Sequence, residues 1–196
     1  MKLYAVIDTN VIVSALLTKN SQSPTRVILD SVFTDKVTPL LNPEILAEYK
    51  DVLLRAKFRL SEQEVQSVLD VFSVKGEICC RISTDVVLPD QDDLVFYETY
   101  LACDESYLVT GNRKHFPLDG KIVSPSDMVH ILCQIDRMSD GILTEPHARY
   151  TSDSKKEILQ RALEAIERIR LAAIENGTAD MTMEEIDEEI RKYREA

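Results

Sequence analysis

The residues most able to do chemistry begin with Asp8, which directly follows a short apolar run from Leu3 to Ile7. An apolar run of this length predicts a buried parallel strand, with the acid at its carboxyl end. Open α/β sheets bind their ligands at that edge, and an acid placed there can hold a divalent cation against a phosphate. Thr9 and Asn10 are natural caps for the helix predicted next. A simple helix cap is the alternative role for Asp8 itself.

A second acid, Glu48, lies in the helix predicted to begin after Asn42. Asn42 is a natural N-cap, and Pro43 suits the first helical position. Glu44 is explained by the helix dipole, which favours an acid in the first turn. Glu48 has no such explanation, because it lies at the border of the apolar stripe of this helix. A carboxylate at that border faces either water or a cleft.

A third acidic group comprises Asp90, Asp92 and Asp93, which precede another predicted helix. One aspartate is enough to cap the helix. Three acids within four residues repel one another unless they share a cation. We therefore treat this cluster as a candidate part of a metal site.

The fourth group follows the predicted strand that ends near Val109. If this strand lies beside the first, Thr110 and Asn112 come close to Asp8. A local basic group follows, made of Arg113, Lys114 and His115. The ordinary role of such residues is to be solvent-exposed charges on a loop.

The elements that must position these groups alternate between strand-like and helix-like patterns, which predicts a parallel sheet between helices. The predicted strands are 3–7, 36–40, 78–82, 106–110 and 120–123. The predicted helices are 11–18, 24–33, 43–55, 61–74, 91–102 and 126–134.

Composition limits the class of protein. The 196 residues suffice for one domain with an appendage, and the net charge of −11 argues against a surface that coats nucleic acid. No segment has the length of a membrane span, and the first apolar run meets Asp8 too early for a signal peptide. The four cysteines lack metal-binding spacing and are typical of a reduced, cytoplasmic protein.

Together, Ile-Asp-Thr-Asn, the acid of the next helix, the D-x-D-D cluster and Val-Thr-Gly-Asn resemble the PIN-domain family, and more narrowly its prokaryotic toxin-like branch of type II toxin–antitoxin systems. The resemblance spans about residues 1–134. It implies a three-layer α/β/α fold with a parallel sheet of order 3-2-1-4-5. It also implies a Mg²⁺- or Mn²⁺-dependent endoribonuclease acting on RNA.

The resemblance assigns the catalytic, metal-binding roles to Asp8, Glu48 and Asp93, with Asp92 as the substitute for Asp93. Asn112 stands where many relatives carry a fourth aspartate, and an amide oxygen there can still bind Mg²⁺ or orient water. Four residues are expected to support the site or the substrate: Thr9, Asn10, Thr110 and Arg113. Hydrolysis through a metal-bound water would leave 5′-phosphate and 3′-hydroxyl ends.

The sequence divides into a nuclease-like domain over 1–135, a polar linker over 136–153 and a helical tail over 154–196. Two capping boxes, Ser154 with Glu157 and Thr182 with Glu185, predict two tail helices separated by Asn176-Gly177. Each helix carries an apolar stripe that needs a partner surface, on this domain or on a second copy, which favours a homodimer or higher oligomer.

The tail resembles the toxin-binding ends of small antitoxins. It is therefore predicted to inhibit the site of its own chain or of a neighbouring copy, with Arg191, Arg194 or an acid in the cleft. A separate antitoxin protein is the other candidate partner. An accessory hairpin or dimerisation arm is the alternative for the tail.

For the whole chain, the alternative function is a catalytically silent interaction module. Another α/β phosphate-handling enzyme is less well supported: Asp8-Thr9-Asn10 lacks the second aspartate of the dehalogenase-type phosphatases, and no glycine-rich phosphate loop is present.

Overall fold

A parallel sheet of five strands forms the centre of the molecule over the residues that the computed structural model describes, 3–139 and 153–192. The strand order is β3-β2-β1-β4-β5, as predicted. The strands are β1 (Leu3–Ile7), β2 (Val37–Leu41), β3 (Glu77–Ile78), β4 (Ser106–Val109) and β5 (Ile122–Val123).

Helices cover the sheet, and two more form a C-terminal extension. The first six are α1 (Thr9–Leu17), α2 (Pro24–Phe33), α3 (Pro43–Leu53), α4 (Glu62–Lys75), α5 (Leu94–Tyr100) and α6 (Pro125–Ser139). The extension comprises α7 (Asp153–Asn176) and α8 (Met183–Lys192). This arrangement is the three-layer α/β/α fold expected from the sequence.

Strand β1 lies at the middle of the sheet and is almost wholly buried. It pairs with β2 on one side and with β4 on the other, with Ile7 opposite Val109. The backbone N–H of Asp8 continues the ladder by donating to the carbonyl of Val109 at 2.9 Å. The two strand ends therefore present Asp8 and Thr110 side by side.

Most predicted elements differ from the observed bounds by at most two residues, whereas β3, α5 and α6 differ by more. Strand β3 has only two residues, both exposed, and the chain then leaves the sheet edge so that the N–H of Ile82 donates to the carbonyl of Glu98. The helix predicted from residue 91 is α-helical only from Leu94. A 3-10 turn over Gln91–Asp93 precedes it, with the side chain of Asp90 accepting from the N–H of Asp92.

The prediction that Thr9 or Asn10 caps α1 is wrong. The N-cap position belongs to Asp8, and both residues lie inside the first helical turn. Their side chains do not serve the helix end, because they bond to groups of the candidate site described below. Asn42, in contrast, is confirmed as the N-cap of α3, since its side-chain oxygen accepts from the N–H of Ile45 at 2.9 Å.

Helix α6 continues to Ser139, five residues beyond its predicted end and into the predicted linker. Residues 140–152 lie outside the described part, and so do Tyr193 and Arg194. The box of Thr182 with Glu185 is confirmed by its two reciprocal hydrogen bonds. Ser154 falls inside α7 rather than before it.

The tail packs on its own domain. Helix α7 lies against α4 and α1, and α8 lies against α1. Gly177 adopts a φ of +78°, the left-handed conformation expected of a helix stop. The apolar stripes bury their central residues, Ala162, Ile166, Ile169, Ala173, Ile186 and Ile190. The stripes that suggested an oligomer are thus covered within one chain.

No helix among the described residues is long and apolar enough to cross a membrane.

Candidate functional site at the carboxyl edge of the sheet

Asp8 forms the floor of the candidate site and is only 5% exposed. One carboxylate oxygen, Oδ2, accepts from the hydroxyl of Thr110 at 2.6 Å and from the amide of Asn10 at 3.0 Å. Asn10 uses its side-chain oxygen in turn, accepting from the backbone N–H of Gly111 at 3.1 Å. These bonds fix the rotamer of Asp8 between the end of β1 and the turn after β4.

Glu48 reaches the site from α3. Its Oε1 accepts a hydrogen bond from the hydroxyl of Thr9 at 2.8 Å. The neighbouring Tyr49 is fully buried, and its hydroxyl donates to the carbonyl of Ile7 at the end of β1. This bond ties α3 to the strand that carries Asp8, so the position of Glu48 is set by the core.

Asp93 is the buried member of the third acidic group, at 5% exposed. Its Oδ2 lies 2.9 Å from Nδ1 of His115, which belongs to the 3-10 turn after β4. Asp92 is exposed and lines a separate cleft along α3 together with Glu48 and Arg81. The two neighbouring aspartates therefore face different environments.

Asn112 and Arg113 follow Thr110 but differ in their placement. Asn112 is 9% exposed, and its Nδ2 lies 2.7 Å from Nε2 of His115. The guanidinium of Arg113 lies 3.5 Å from the carboxylate of Asp127 and forms a surface ion pair with it. Arg113 thus has a surface partner, and Asp92 faces the separate cleft along α3.

Helix α8 covers the opening of this site. Oδ1 of Asp187 accepts from Nδ2 of Asn10 at 2.8 Å, so one amide group bridges Asp187 and Asp8. The cavity that remains has a volume of about 10 Å³, close to the smallest space that holds one water molecule. Its lining residues are Asp8, Asn10, Asp90, Asp93, His115, Asp187, Ile190 and Arg191.

Burial and like charge act together on the carboxylates. Burial, followed by the charge of Asp93, holds the pKa of Asp8 well above its usual value. Asp187 and Glu48 contribute in the same direction, and the Thr110 hydrogen bond opposes them. Burial also raises the pKa of Asp187, with Asp93 adding to the effect. The site thus gathers several acidic side chains where water screens their mutual repulsion poorly.

The oxygen donors of this site suit a hard divalent cation such as Mg²⁺, which prefers carboxylate oxygens. A bound cation would also neutralise the repulsion between the neighbouring acids. Among the described residues, no three acidic, histidine or cysteine side chains converge closely enough to hold a metal ion by themselves. Mg²⁺ does not require such a cage, since it usually keeps several waters and binds through one or two carboxylates. Asp8 with Asp93 or Glu48 meets that requirement in donor type.

Sequence reasoning missed two residues of this site. His115 was considered only as part of a basic group, although its spacing of three from Asn112 within a tight turn allows their contact. Asp187 was covered only by the general expectation of an acid in the cleft, whereas Arg191 was named and does line the cavity. Arg194 lies outside the described residues.

Comparison with known proteins agrees with this geometry. The chain belongs to the PIN domain family, whose model matches residues 4–114. It is 31% identical over 116 residues to an uncharacterized protein of Methanocaldococcus jannaschii, in a match covering 58% of this chain and 73% of that protein. No solved structure matches the chain. PIN domains are generally nucleases, and the matched span contains Asp8, Glu48, Asp93 and Asn112 but ends before His115 and the tail.

Proposed function

We propose that this protein is a Mg²⁺- or Mn²⁺-dependent endoribonuclease of the PIN toxin type, whose site is inhibited by its own C-terminal tail. The observation that carries the nuclease part is the buried carboxylate of Asp8, fixed at the sheet edge and close enough to Asp93 and Glu48 to feel their charge. Stability alone does not favour such a group, because burial and like charge both oppose its ionisation.

In this proposal Asp8, Glu48 and Asp93 would hold the cation, with Asn112 contributing an amide oxygen. When bound, the cation polarises the scissile phosphate and lowers the pKa of a water for in-line attack. Thr110 and Asn10 hold the Asp8 carboxylate in one orientation. His115 holds Asp93 in the same way.

The inhibition part is supported by the position of α8. Asp187 and Arg191 line the same cavity as Asp8 and Asp93, and its volume of about 10 Å³ excludes a nucleotide. Because α8 is part of the chain, its effective concentration is of the order of millimolar even with a flexible connection. In this proposal the tail would take the role of a separate antitoxin.

The nuclease proposal is tested by the chemistry of the RNA ends. The protein carrying Ile186→Asp, which releases α8, is incubated with labelled single-stranded RNA in Mn²⁺ or Mg²⁺ and in EDTA. We expect cleavage only with metal, and products with 5′-phosphate and 3′-hydroxyl ends. Products with 2′,3′-cyclic phosphate, or equal cleavage in EDTA, would contradict it, since attack by the RNA's own 2′-hydroxyl needs no metal-bound water.

The silent interaction module remains the second candidate. Asn112 favours it, because an amide bonded to His115 stands where many relatives carry an acid. Complete absence of cleavage after release of α8, in a protein that still folds, would support this module over the nuclease.

A further inference from the structure

Arg55, just past the end of α3, makes an unusual contact with the tail. Its side chain is buried, and Nη1 lies 2.8 Å from the carbonyl oxygen of Glu189 and 2.8 Å from that of Ile190. Both carbonyl groups belong to the last turn of α8, where carbonyls have no partner within the helix. The guanidinium therefore satisfies the negative end of the helix that covers the candidate site.

Arg55 also belongs to the surface that leads to that site. Glu48 and Asp51 on α3 and Arg55 just past its end line a common cleft of about 460 Å³. Oδ2 of Asp51 lies 3.3 Å from Nη2 of Arg55 and helps to orient the guanidinium. An RNA strand that follows this cleft away from Glu48 would therefore pass Arg55.

The two backbone carbonyls are weaker partners for a guanidinium than phosphate oxygens are. A phosphate oxygen carries a full negative charge, and the planar fork of arginine matches phosphate geometry with two parallel hydrogen bonds. A carbonyl of α8 carries only a partial charge. RNA that enters the cleft would offer Arg55 a better acceptor than the one it has.

We propose that Arg55 is a binding site for a phosphate of the RNA backbone, and that the last carbonyl groups of α8 occupy this site while the tail is docked. The inference rests on the proposed function, because it takes RNA as the ligand. If Arg55 binds RNA in this way, docking of α8 and binding of RNA exclude each other at Arg55 as well as at Asp8. A guanidinium that only caps α8 is the competing explanation.

The test separates these explanations by measuring RNA binding after α8 has been released. Ile186 is 1% exposed, so Ile186→Asp is chosen to undock α8 while every residue that lines the cleft keeps its identity. Arg55→Gln and Arg55→Lys are then added to the Ile186→Asp chain. Lys57→Gln, at an exposed position nearby, removes one positive charge as the matched control. Hydrogen exchange of residues 183–192 verifies that α8 is undocked, and thermal melts verify that every variant is folded.

Binding is followed by the anisotropy of a fluorescent single-stranded RNA in EDTA, where metal-dependent cleavage stops. We expect Ile186→Asp to tighten binding relative to the unmodified chain. Adding Arg55→Gln should weaken it again by about tenfold or more, the usual loss of a hydrogen bond to a charged group. Arg55→Lys should lose less, and Lys57→Gln should change binding less than twofold.

Three outcomes would overturn the inference. Tight RNA binding that Arg55→Gln leaves unchanged would reduce Arg55 to a cap of α8, while the proposed function stands. Equal losses from Arg55→Gln and Lys57→Gln would indicate general charge attraction rather than a site. No RNA binding in EDTA, together with no binding or cleavage in Mn²⁺, by any folded, undocked variant would instead contradict the proposed function, and the inference would fall with it.

Discussion

Helices α3 and α8 both bring a carboxylate to the same site, but the molecule holds them in different ways. Helix α3 buries a stripe made of Ile45, Tyr49, Val52 and Leu53. The ring of Tyr49 packs against Phe72 and Phe96, and its hydroxyl bonds to the carbonyl of Ile7. Moving Glu48 therefore requires disruption of the core.

Helix α8 is held by fewer and weaker contacts. Ile186 and Ile190 are its fully buried apolar residues, and burial of two such side chains contributes about 3–6 kcal/mol. Met183 adds a partly buried apolar contact, and the polar anchors include Asp187 on Asn10 and the α8 carbonyl groups on Arg55. Undocking α8 thus costs less than unfolding the domain. The proposed catalytic acid of α3 is thus held by the core, whereas the helix that covers the site is held by fewer buried side chains.

The largest expected effect comes from replacing the proposed catalytic acids. In the chain with α8 released by Ile186→Asp, Asp8→Asn or Asp93→Asn should lower RNA cleavage by at least about 100-fold, since removal of one preorganised electrostatic group costs this much. Initial rates on a labelled RNA in Mn²⁺ measure the effect. Asp85→Asn, at an exposed position, is the control and should leave the rate unchanged. Cleavage that survives both site substitutions would remove the acids from the mechanism.

A smaller effect is expected where α8 meets the turn after β4. A Cβ added at Gly111 would lie 2.1 Å from Cε of Met183, at the start of α8. Gly111→Ala therefore forces Met183 to shift, and an overpacking cost of about 1 kcal/mol corresponds to about fivefold more undocked tail. Hydrogen exchange of α8 measures this population.

Gly120→Ala provides the matched control for that experiment, because nothing lies within 4 Å of a Cβ at Gly120. It should leave the exchange of α8 unchanged. Equal exchange in the two variants would show that Met183 adapts and that the close approach at Gly111 does not hold the tail.

The smallest expected effect is on stability. The pKa of Asp8 is higher in the folded than in the unfolded chain, so its contribution to stability is present at low pH and is lost as pH rises through the folded value. Asp8→Asn cannot ionise. In EDTA, Asp8→Asn should raise Tm at pH 7 by about 2–4 °C for each kcal/mol of stability that ionisation of the buried carboxyl would otherwise cost.

The sign of this effect is checked by lowering the pH. The Tm difference between Asp8→Asn and the unmodified chain should vanish below about pH 4, where an ordinary aspartate becomes protonated. The exposed Asp85→Asn should show no difference at either pH. A lower Tm for Asp8→Asn at pH 7 would mean that ionised Asp8 stabilises the fold.

The fold could be predicted from the sequence because buried parallel strands have a local signature. The apolar run before Asp8 and the strand before Thr110 allowed both residues to lie at one edge of the sheet, and the family resemblance supplied the strand order. The 2.6 Å contact between Thr110 and Asp8 confirms this placement. The length of the strand at the exposed edge of the sheet was overestimated, since only Glu77 and Ile78 pair with β2. A short edge strand has few partners, so its apolar pattern does not fix its length.

The contacts within the site were less predictable. Asn10 looked like a helix cap but uses its side chain to join Asp8, Gly111 and Asp187. A cap can be inferred from a few neighbouring residues, whereas the bond from Asn10 to Asp187 joins positions 177 residues apart. The apolar stripe of α8 predicted that the tail needs a surface, but not which polar residue would then face the acids.

Inhibition by the tail is tested most directly by comparing RNA cleavage by the unmodified chain with cleavage by Ile186→Asp, both in Mn²⁺. If the tail inhibits this site, the unmodified chain should cleave little RNA and the variant at least about tenfold more, with the increase abolished by Asp8→Asn. Equal cleavage by both chains, with hydrogen exchange confirming that α8 is undocked in the variant, would contradict the claim that the tail inhibits this site.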